Sequence, residues 1–412
     1  MLVVMSVSLT GCGKKTVETR KQVIVYFPNW KLGEPNGNVS DIPWDSVTFI
    51  NHAFWKVAPK SDVNQTSFER RELGLEPRTE FEVVSTGEEA DKIIFAEYEK
   101  YHKEYPNVNI MISVGGWSAC GYFSEMAYTE EGRASFIADC VRLMKEYPWI
   151  AGIDIDWEYP AGSNDGERYP EGEGEEGCPI WGTQYDDRMN FTQFLKECRE
   201  TFDAEFGAGA KKLTACASSS TGWTLPNQNW TDASLYLDYV NIMTYDMAGD
   251  WDGVTGHASG VSGAKNAMAY FINNDVPKEK LNLGSPFYAT GFIMAEDTDF
   301  SKIVGAPIAD YNDIDKELLT VPFINDILSK TVPDGAKGWH LGYDEKNGGA
   351  YVYNDDPASE YYRWFLSYED KNTIDGKFAL IEKYNMAGII VWEVTQDSAD
   401  HEMTKYLYEK AK

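Results

Sequence analysis

The segment Gly152-Ile-Asp154-Ile-Asp156-Trp-Glu158-Tyr-Pro160 alternates apolar and acidic residues. Successive side chains of a β-strand point to opposite faces, so Asp154, Asp156 and Glu158 share one face. The two isoleucines and the tryptophan between them share the other face. The segment therefore predicts a strand that is acidic on one side and apolar on the other, and this pattern decides the fold class.

The apolar face of this strand favours packing against helices, as in a closed parallel barrel, over an exposed edge strand. In such a barrel one face of each strand packs on the surrounding helices and the other face lines the interior. Acidic side chains on the inner face rise towards the carboxyl-terminal rim, where barrel enzymes carry their active sites. Glu158 is the last acid of the strand, and we expect it to lie nearest to a substrate.

Three neighbouring carboxylates are costly to bury, because like charges a few ångströms apart raise one another's pKa. The same arrangement suits catalysis near neutral pH, where a general acid must hold its proton. We therefore expect this strand to carry a catalytic acid.

Seven further β-rich segments are separated by intervals long enough for helices. They cover residues 23–26, 47–54, 108–114, 213–217, 239–245, 281–287 and 388–392. Eight strands that alternate with helices predict an α/β protein with a (β/α)8 TIM barrel.

The interval between the last two strands is much longer than a strand–helix unit requires. It contains the aromatic runs Ala350-Tyr-Val-Tyr-Asn354 and Tyr361-Tyr-Arg-Trp-Phe365. We expect residues 289–369 to form an α+β subdomain inserted between strands 7 and 8, at the catalytic mouth. The barrel then comprises residues 23–288 and 370–412. Residues 161–178, rich in Gly and Glu, are interpreted as a solvated loop.

The chain is strongly acidic, with 66 Asp and Glu against 37 Lys and Arg and a formal net charge of −29. Its long-range field repels nucleic acid and anionic lipid surfaces. We therefore expect no nucleic-acid partner, and a substrate that is neutral or cationic. A merely soluble acidic surface is the alternative and explains the charge equally well.

The first twelve residues, MLVVMSVSLTGC, form an apolar run that ends in Leu9-Thr-Gly-Cys12. The run resembles a bacterial lipoprotein signal peptide with its lipobox. This resemblance implies cleavage before Cys12, lipidation of its thiol and a polar tether over residues 13–22. We expect an extracellular protein anchored to the cell membrane by lipid, with an ordinary disordered N-terminus as the alternative.

The other cysteines do not indicate a disulfide framework, because their number is odd. They are Cys120, Cys140, Cys178, Cys198 and Cys216. The histidines are scattered, and neither C-x-x-C nor H-E-x-x-H spacing occurs. We therefore expect mostly buried free thiols, no metal ion and no cofactor, and we expect a monomer.

The acidic strand resembles the D-G-x-D-x-D-x-E signature of family 18 glycoside hydrolases. Three more motifs follow the family's order at the ends of predicted strands: Ser113-Val-Gly-Gly-Trp117 resembles S-x-G-G, Met243-Thr-Tyr-Asp246 resembles M-T-Y-D, and Val391-Trp-Glu393 contains the tryptophan that ends the eighth strand. The similarity runs from residue 23 to the C-terminus. The predicted insertion is similar to the α+β subdomain of deep-clefted chitinases in this family.

Two positions depart from the family pattern. Ala151 stands where the signature begins with Asp, and Pro286-Phe-Tyr-Ala-Thr290 lacks the arginine of the seventh-strand P-F-Y-G-R pattern. The first removes a carboxylate at the buried end of the strand. The second removes part of the contact with the sugar.

The resemblance implies substrate-assisted, retaining hydrolysis of β-1,4-linked N-acetylglucosamine polymers or oligomers such as chitin. Glu158 would protonate the glycosidic oxygen while the 2-acetamido carbonyl of the substrate attacks the anomeric carbon. Asp156 would bind the acetamido N–H, Asp154 would share a proton with Asp156, and Tyr245 would donate to the acetamido oxygen.

The resemblance and the positions of strand ends also predict residues that contact the sugar. The two glycines would let the backbone approach the ligand, and the aspartate would bind a hydroxyl. Trp392 would form a flat floor below the sugar ring, with Met243 packed nearby. The other aromatic residues would stack on sugar faces, with ordinary packing as the alternative for any single ring. These residues are Gly115, Gly116, Trp117, Tyr159, Met243, Asp246, Trp392, Tyr26 and Phe54.

Other functions share these motifs. An endo-β-N-acetylglucosaminidase acting on N-glycans and a peptidoglycan N-acetylglucosaminidase would use the same acetamido chemistry. An inactive carbohydrate-binding lectin on the same fold is the alternative from another class. Lectins of this fold typically lose the acid, so the presence of Glu158 favours an enzyme.

Overall fold

The computed structural model describes residues 20–60, 65–161, 180–222, 228–309, 314, 319–331 and 338–412. Cys12, tether residues 13–19 and loop residues 162–178 lie outside the described residues. The strands are β1 (Gln22–Pro28), β2 (Phe49–Pro59), β3 (Phe81–Ser85), β4 (Asn109–Gly115), β5 (Ile150–Asp156), β6 (Lys212–Ser218), β7 (Tyr239–Met243), β8 (Leu281–Pro286), β9 (Thr290–Ile293), β10 (Trp339–Asp344), β11 (Gly349–Asn354), β12 (Trp364–Tyr368) and β13 (Gly388–Trp392). The α-helices are α1 (Ser67–Glu72), α2 (Glu88–Glu104), α3 (Phe123–Tyr128), α4 (Glu130–Glu146), α5 (Gln184–Phe206), α6 (Trp230–Ala233), α7 (Val261–Asn273), α8 (Val321–Thr331), α9 (Lys371–Tyr384) and α10 (Glu402–Ala411).

Eight parallel strands close into a barrel in the order β1, β2, β4, β5, β6, β7, β8 and β13. Closure is made by β1, which pairs in parallel with β2 on one side and β13 on the other. All eight predicted barrel strands are present, and the (β/α)8 prediction is confirmed.

Helix α4 illustrates why the strands and helices form one core. Its residues Phe136, Ile137 and Cys140 recur at helical spacing and are buried. They belong to the same apolar cluster as Ile153 and Ile155 of β5. The outer face of the acidic strand therefore packs on helices, as the alternation predicted.

Strand β3 was not predicted from the sequence. It pairs antiparallel with the end of β2, from Trp55 opposite Ser85 to Pro59 opposite Phe81. Because of this pairing β2 runs to Pro59, five residues beyond its predicted end at residue 54.

The long interval between β8 and β13 contains an antiparallel sheet of four strands in the order β10, β11, β12 and β9. Helix α8 lies in the same interval, and its Ile324 and Ile327 share an apolar cluster with Trp339, Val352 and Leu366 of the sheet. The interval thus forms an α+β unit with a core of its own.

The cysteines of the described residues are not in disulfides, and the described helices do not span a membrane. Cys120, Cys140, Cys198 and Cys216 are buried free thiols, whereas Cys178 lies outside the described residues. Among the helices that the structure describes, each is too short or too polar to cross a membrane.

Candidate active site

Asp154 lies inside the barrel and is bound by side chains from four other strands. Its carboxylate accepts hydrogen bonds from the hydroxyls of Tyr26 (2.8 Å), Ser113 (2.8 Å) and Thr214 and from the Asn241 amide (3.2 Å). Burial raises the pKa of Asp154, and the hydrogen bonds that stabilise its charged form partly oppose the rise. The inner face of β5 is therefore polar, as predicted.

Asp156 is buried above Asp154 and keeps an open acceptor. Its Oδ1 atom has no hydrogen-bond partner among the described residues. Burial raises the pKa of Asp156 well above its ordinary value, and the charges of Glu158 and Asp154 raise it further. The carboxyl groups therefore retain protons at pH values where isolated carboxyl groups have lost them.

Glu158 follows β5 at the rim and is partly exposed, whereas the two aspartates below it are buried. Desolvation by its surroundings raises the pKa of Glu158 to about 7, the charge of Asp246 adds to the rise, and a hydrogen bond with Tyr159 opposes it. Its backbone N–H donates to the Cys120 sulfur at 3.1 Å. A carboxyl group with this pKa can both donate and accept a proton near neutral pH.

Tyr245, Asp246 and Tyr288 lie beside this carboxyl group. The two tyrosine rings meet edge to face with centroids 6.4 Å apart, and Tyr288 is hydrogen-bonded to Asp246. Burial raises the pKa of both tyrosine hydroxyls well above the ordinary value, so both remain protonated donors. Tyr288 was not among the predicted site residues.

Aromatic rings of β1, β2 and β13 pack together, and with Trp30 they form a cluster that we call the aromatic wall (Tyr26, Trp30, Phe54 and Trp392). Phe54 stacks on Trp392 with centroids 5.5 Å apart and an angle of 13°, and Tyr26 lies 5.6 Å from Trp392. Trp30, which is 51% exposed, lies 6.0 Å from Phe54 and 6.3 Å from Trp392. Three predicted aromatic residues therefore come together with Trp30, which the sequence analysis missed.

The two glycines at the end of β4 are required by close packing against other parts of the protein. Gly115 and Gly116 adopt φ of +117° and +86°. A Cβ atom would lie 2.1 Å from the carbonyl oxygen of Asp156 at Gly115 and 2.4 Å from the Phe54 ring at Gly116. Approach of these glycines to a ligand stays a prediction. Trp117, directly after them, is 72% exposed.

Comparison with known proteins assigns the chain to a protein family. The sequence profile described as Glycosyl hydrolases family 18 matches residues 22–397. The chain belongs to this family.

Two relatives with similar sequences are named as chitinases. The chain is 26% identical to Chitinase A1 of Niallia circulans over 91% of its own length and 56% of that protein. It is also 26% identical to Chitinase ChiA of Flavobacterium johnsoniae, over 92% of its length and 27% of the relative. The chain thus spans about half of the first relative and about a quarter of the second.

Solved structures share the fold. Chitinase ChiW of a Paenibacillus strain matches with a TM-score of 0.72 and 26% identity, over 95% of this chain and 42% of that chain. Catalytic domain 2 of the Group II chitinase of Ostrinia furnacalis matches with a TM-score of 0.73 and 22% identity, over 95% of this chain and 96% of that one.

The two departures from the family 18 pattern have local explanations. Ala151 packs against an interior apolar cluster that includes Ile24, Phe49 and Met111, so a carboxylate there would meet apolar neighbours. Thr290 begins β9 and pairs with Ser367 of β12. The position of the family's arginine is therefore part of the inserted sheet.

Two other predicted residues and one missed residue lie in or against the apolar cluster inside the barrel. Met243 is buried in the interior cluster that includes Tyr26 and Cys216, and Tyr159 is hydrogen-bonded to Glu158 and Ser218. Cys216 was predicted only as a thiol, yet its sulfur lies 2.9 Å from the Tyr26 hydroxyl. No local motif marks Cys216, because closure of the barrel brings it to the aspartates.

Proposed function

We propose that this chain hydrolyses β-1,4-linked N-acetylglucosamine polymers or oligomers by a substrate-assisted mechanism that retains the anomeric configuration. The observation that carries the proposal is the row of three acids formed by Asp154 and Asp156 of β5 and by Glu158 just after it. Glu158 at the rim has a pKa of about 7, and Asp156 below it has an open carboxylate oxygen.

In the first step Glu158 donates its proton to the glycosidic oxygen, and the C1–O bond breaks. The carbonyl oxygen of the substrate's 2-acetamido group attacks C1 from the opposite face and forms a cyclic oxazolinium ion. The open oxygen of Asp156 accepts the acetamido N–H, which orients the carbonyl and stabilises the developing positive charge. Tyr245 donates its hydroxyl to the acetamido oxygen.

In the second step Glu158 acts as a base. Its carboxylate takes a proton from water, and the water oxygen attacks C1 and opens the oxazolinium ring. Two inversions at C1 give net retention. The carboxyl group is again protonated, so one residue serves both steps.

The aromatic wall suits a sugar polymer. Trp392 provides a flat apolar surface below the reacting ring, and Phe54 and Trp30 extend this surface towards solvent. We propose that these rings bind the chain of sugars and that Asp246 binds a sugar hydroxyl. The names of the relatives support this substrate class, since Chitinase A1 and Chitinase ChiA are named for chitin.

We propose an extracellular location, with a lipid anchor at Cys12, no cofactor and a monomeric state. The lipobox-like sequence supports the anchor. The location is supported by ChiW, which is described as expressed at the cell surface. Replacing Cys12 with Ala is expected to release the protein from the membrane fraction. Protein that remains membrane-bound would contradict the anchor.

The test compares chitotetraose with a chitobiose-capped N-glycan, using the wild type and Glu158→Gln. We expect the wild type to cleave chitotetraose with retention, and the variant to lose about 10²–10⁴-fold in rate because it lacks the acid. Cleavage of the glycan alone would indicate an endo-β-N-acetylglucosaminidase. Binding of both sugars without turnover by the wild type would indicate a lectin.

A further inference from the structure

A buried ion pair lies close to the strand ends that carry Tyr245 and Tyr288. Lys377 of α9 is bound to Glu369, which directly follows β12, and their side chains are 0% and 1% exposed. Neither residue belongs to the set that faces the substrate. The pair nonetheless lies where the barrel meets the inserted sheet.

The ammonium group of Lys377 binds the carboxyl ends of two barrel strands. Its Nζ donates to the backbone carbonyl oxygens of Thr244 at 3.2 Å and Gly284 at 2.5 Å. It also lies 2.8 Å from the Ser259 hydroxyl. Thr244 immediately follows β7 and Gly284 lies in β8, so one cation fixes the strand ends that carry Tyr245 and Tyr288.

The carboxylate of Glu369 completes the network from the other side. It accepts hydrogen bonds from the hydroxyls of Ser259 and Ser285. The residue two positions earlier, Ser367 of β12, accepts from the Ala258 backbone N–H at 3.1 Å. The last strand of the inserted sheet is thus attached to the loop between β7 and α7 through two adjoining contacts.

The strand ends in turn contact the catalytic tyrosine. A Cβ atom on Gly284 would lie 2.7 Å from the Tyr245 ring, so β8 packs directly on that ring. Thr244 and Gly284 also exchange two hydrogen bonds of 2.8 Å through the Thr244 hydroxyl. A shift of Lys377 would therefore be transmitted to Tyr245 through backbone atoms.

We propose that Lys377 and Glu369 are positioning residues, which hold Tyr245 and Tyr288 at the cleft and couple their placement to the inserted sheet. A buried ion pair is a poor source of stability, because desolvation of the charges offsets their attraction. Its multiple bonds to strand ends instead fix geometry. The inference rests on the proposed function, in which Tyr245 contacts the acetamido oxygen as it attacks.

The main test is Glu369→Gln, which keeps the shape and removes the charge. We expect kcat on chitotetraose to fall about tenfold to a hundredfold, because displacement of a catalytic group reduces the rate of the chemical step. KM should change less than about threefold, because the substrate's other contacts remain. Ser285→Ala removes one hydrogen bond to Glu369 and should give a smaller loss of kcat in a well-folded protein.

The matched control is Glu125→Gln. Glu125 forms a buried ion pair with Arg78 at 2.6 Å, with side chains 0% and 4% exposed. The Glu125→Gln variant should lower Tm to an extent similar to that of Glu369→Gln. It should leave kcat within about twofold of the wild type, because the Glu125–Arg78 pair does not contact the ends of β7 and β8.

The outcomes separate the two proposals. Equal losses of kcat in Glu369→Gln and Glu125→Gln, in step with Tm, would overturn the positioning role. An unchanged kcat in both Glu369→Gln and Ser285→Ala would also overturn it. A wild type that does not cleave chitotetraose would overturn the proposed function and the inference with it.

Discussion

At the scale of single residues, the surroundings of Glu158 give it the pKa that the proposed general acid needs. Desolvation and the charge of Asp246 raise its pKa from the ordinary 4.5 to about 7. Only the protonated form can donate to the glycosidic oxygen. The rate is therefore expected to fall as pH rises through this pKa.

This dependence can be shifted by Asp246→Asn. Removing a negative charge that disfavours ionisation lowers the pKa of Glu158, so the alkaline limb of kcat/KM should move to lower pH. Asp250→Asn, at an exposed position in the following loop, serves as the control and should leave the limb in place. A limb that moves to higher pH in Asp246→Asn would contradict this account.

Residue types and spacing predicted that the three acids share one face, and the family resemblance and the strand ends together indicated three of the four rings of the aromatic wall. Tyr288, Trp30 and Cys216 were missed. Each approaches the site through contacts between residues that are distant in sequence, such as Trp30 with Trp392 or Cys216 with Tyr26. Local patterns contain no information about such distances, although the position of Trp30 just after β1 was a signal that could have been used.

At the scale of elements, the eight barrel strands were predictable because each is a short β-rich segment, separated from the next by an interval long enough for a helix. Their ends were less predictable. Strand β2 extends to Pro59 because β3 pairs with it, and this partner lies more than twenty residues later in the chain. The pairing order of the inserted sheet, with β9 beside β12, likewise depends on contacts that the periodicity of a single strand does not encode.

The aromatic wall between β1, β2 and β13 gives a prediction at this scale. Trp30→Ala removes an exposed ring that contacts Phe54 and Trp392. We expect KM for chitotetraose to rise about fivefold to tenfold, because a lost aromatic contact costs about 1 kcal/mol, while kcat changes little.

The control for the aromatic wall is Leu235→Ala. Leu235 is also well exposed, at 65%, but it lies before β7, at the end of the barrel away from the cleft. An unchanged KM in Trp30→Ala, or an equal rise in both variants, would contradict a sugar-binding role for the wall.

At the scale of the whole molecule, the net charge of −29 sets the field around the cleft. Neutral chitotetraose should bind with the same KM at low and high salt, because no charge on the substrate responds to screening. A partly deacetylated, cationic oligomer should show a KM that rises with salt, because screening weakens its attraction to the acidic protein. Equal salt dependence of the two substrates, measured by initial rates, would contradict this prediction.

The inserted sheet and the barrel form one functional unit in this account. The Lys377–Glu369 pair joins them at the strand ends that carry Tyr245 and Tyr288. The sequence predicts an α+β unit between the last two strands. It does not indicate this connection, because Lys377 is an ordinary helical lysine when it is considered without its neighbours.

The most direct test of the central claim varies the nucleophile on the substrate. Initial rates are measured for aryl chitobiosides in which the N-acetyl group beside the scissile bond carries no, one, two or three fluorine atoms. Fluorine withdraws electrons and weakens the carbonyl oxygen as a nucleophile. Attack by the acetamido group predicts that kcat falls steeply with each added fluorine. A kcat that does not depend on fluorination would contradict the account and indicate a nucleophile supplied by the protein.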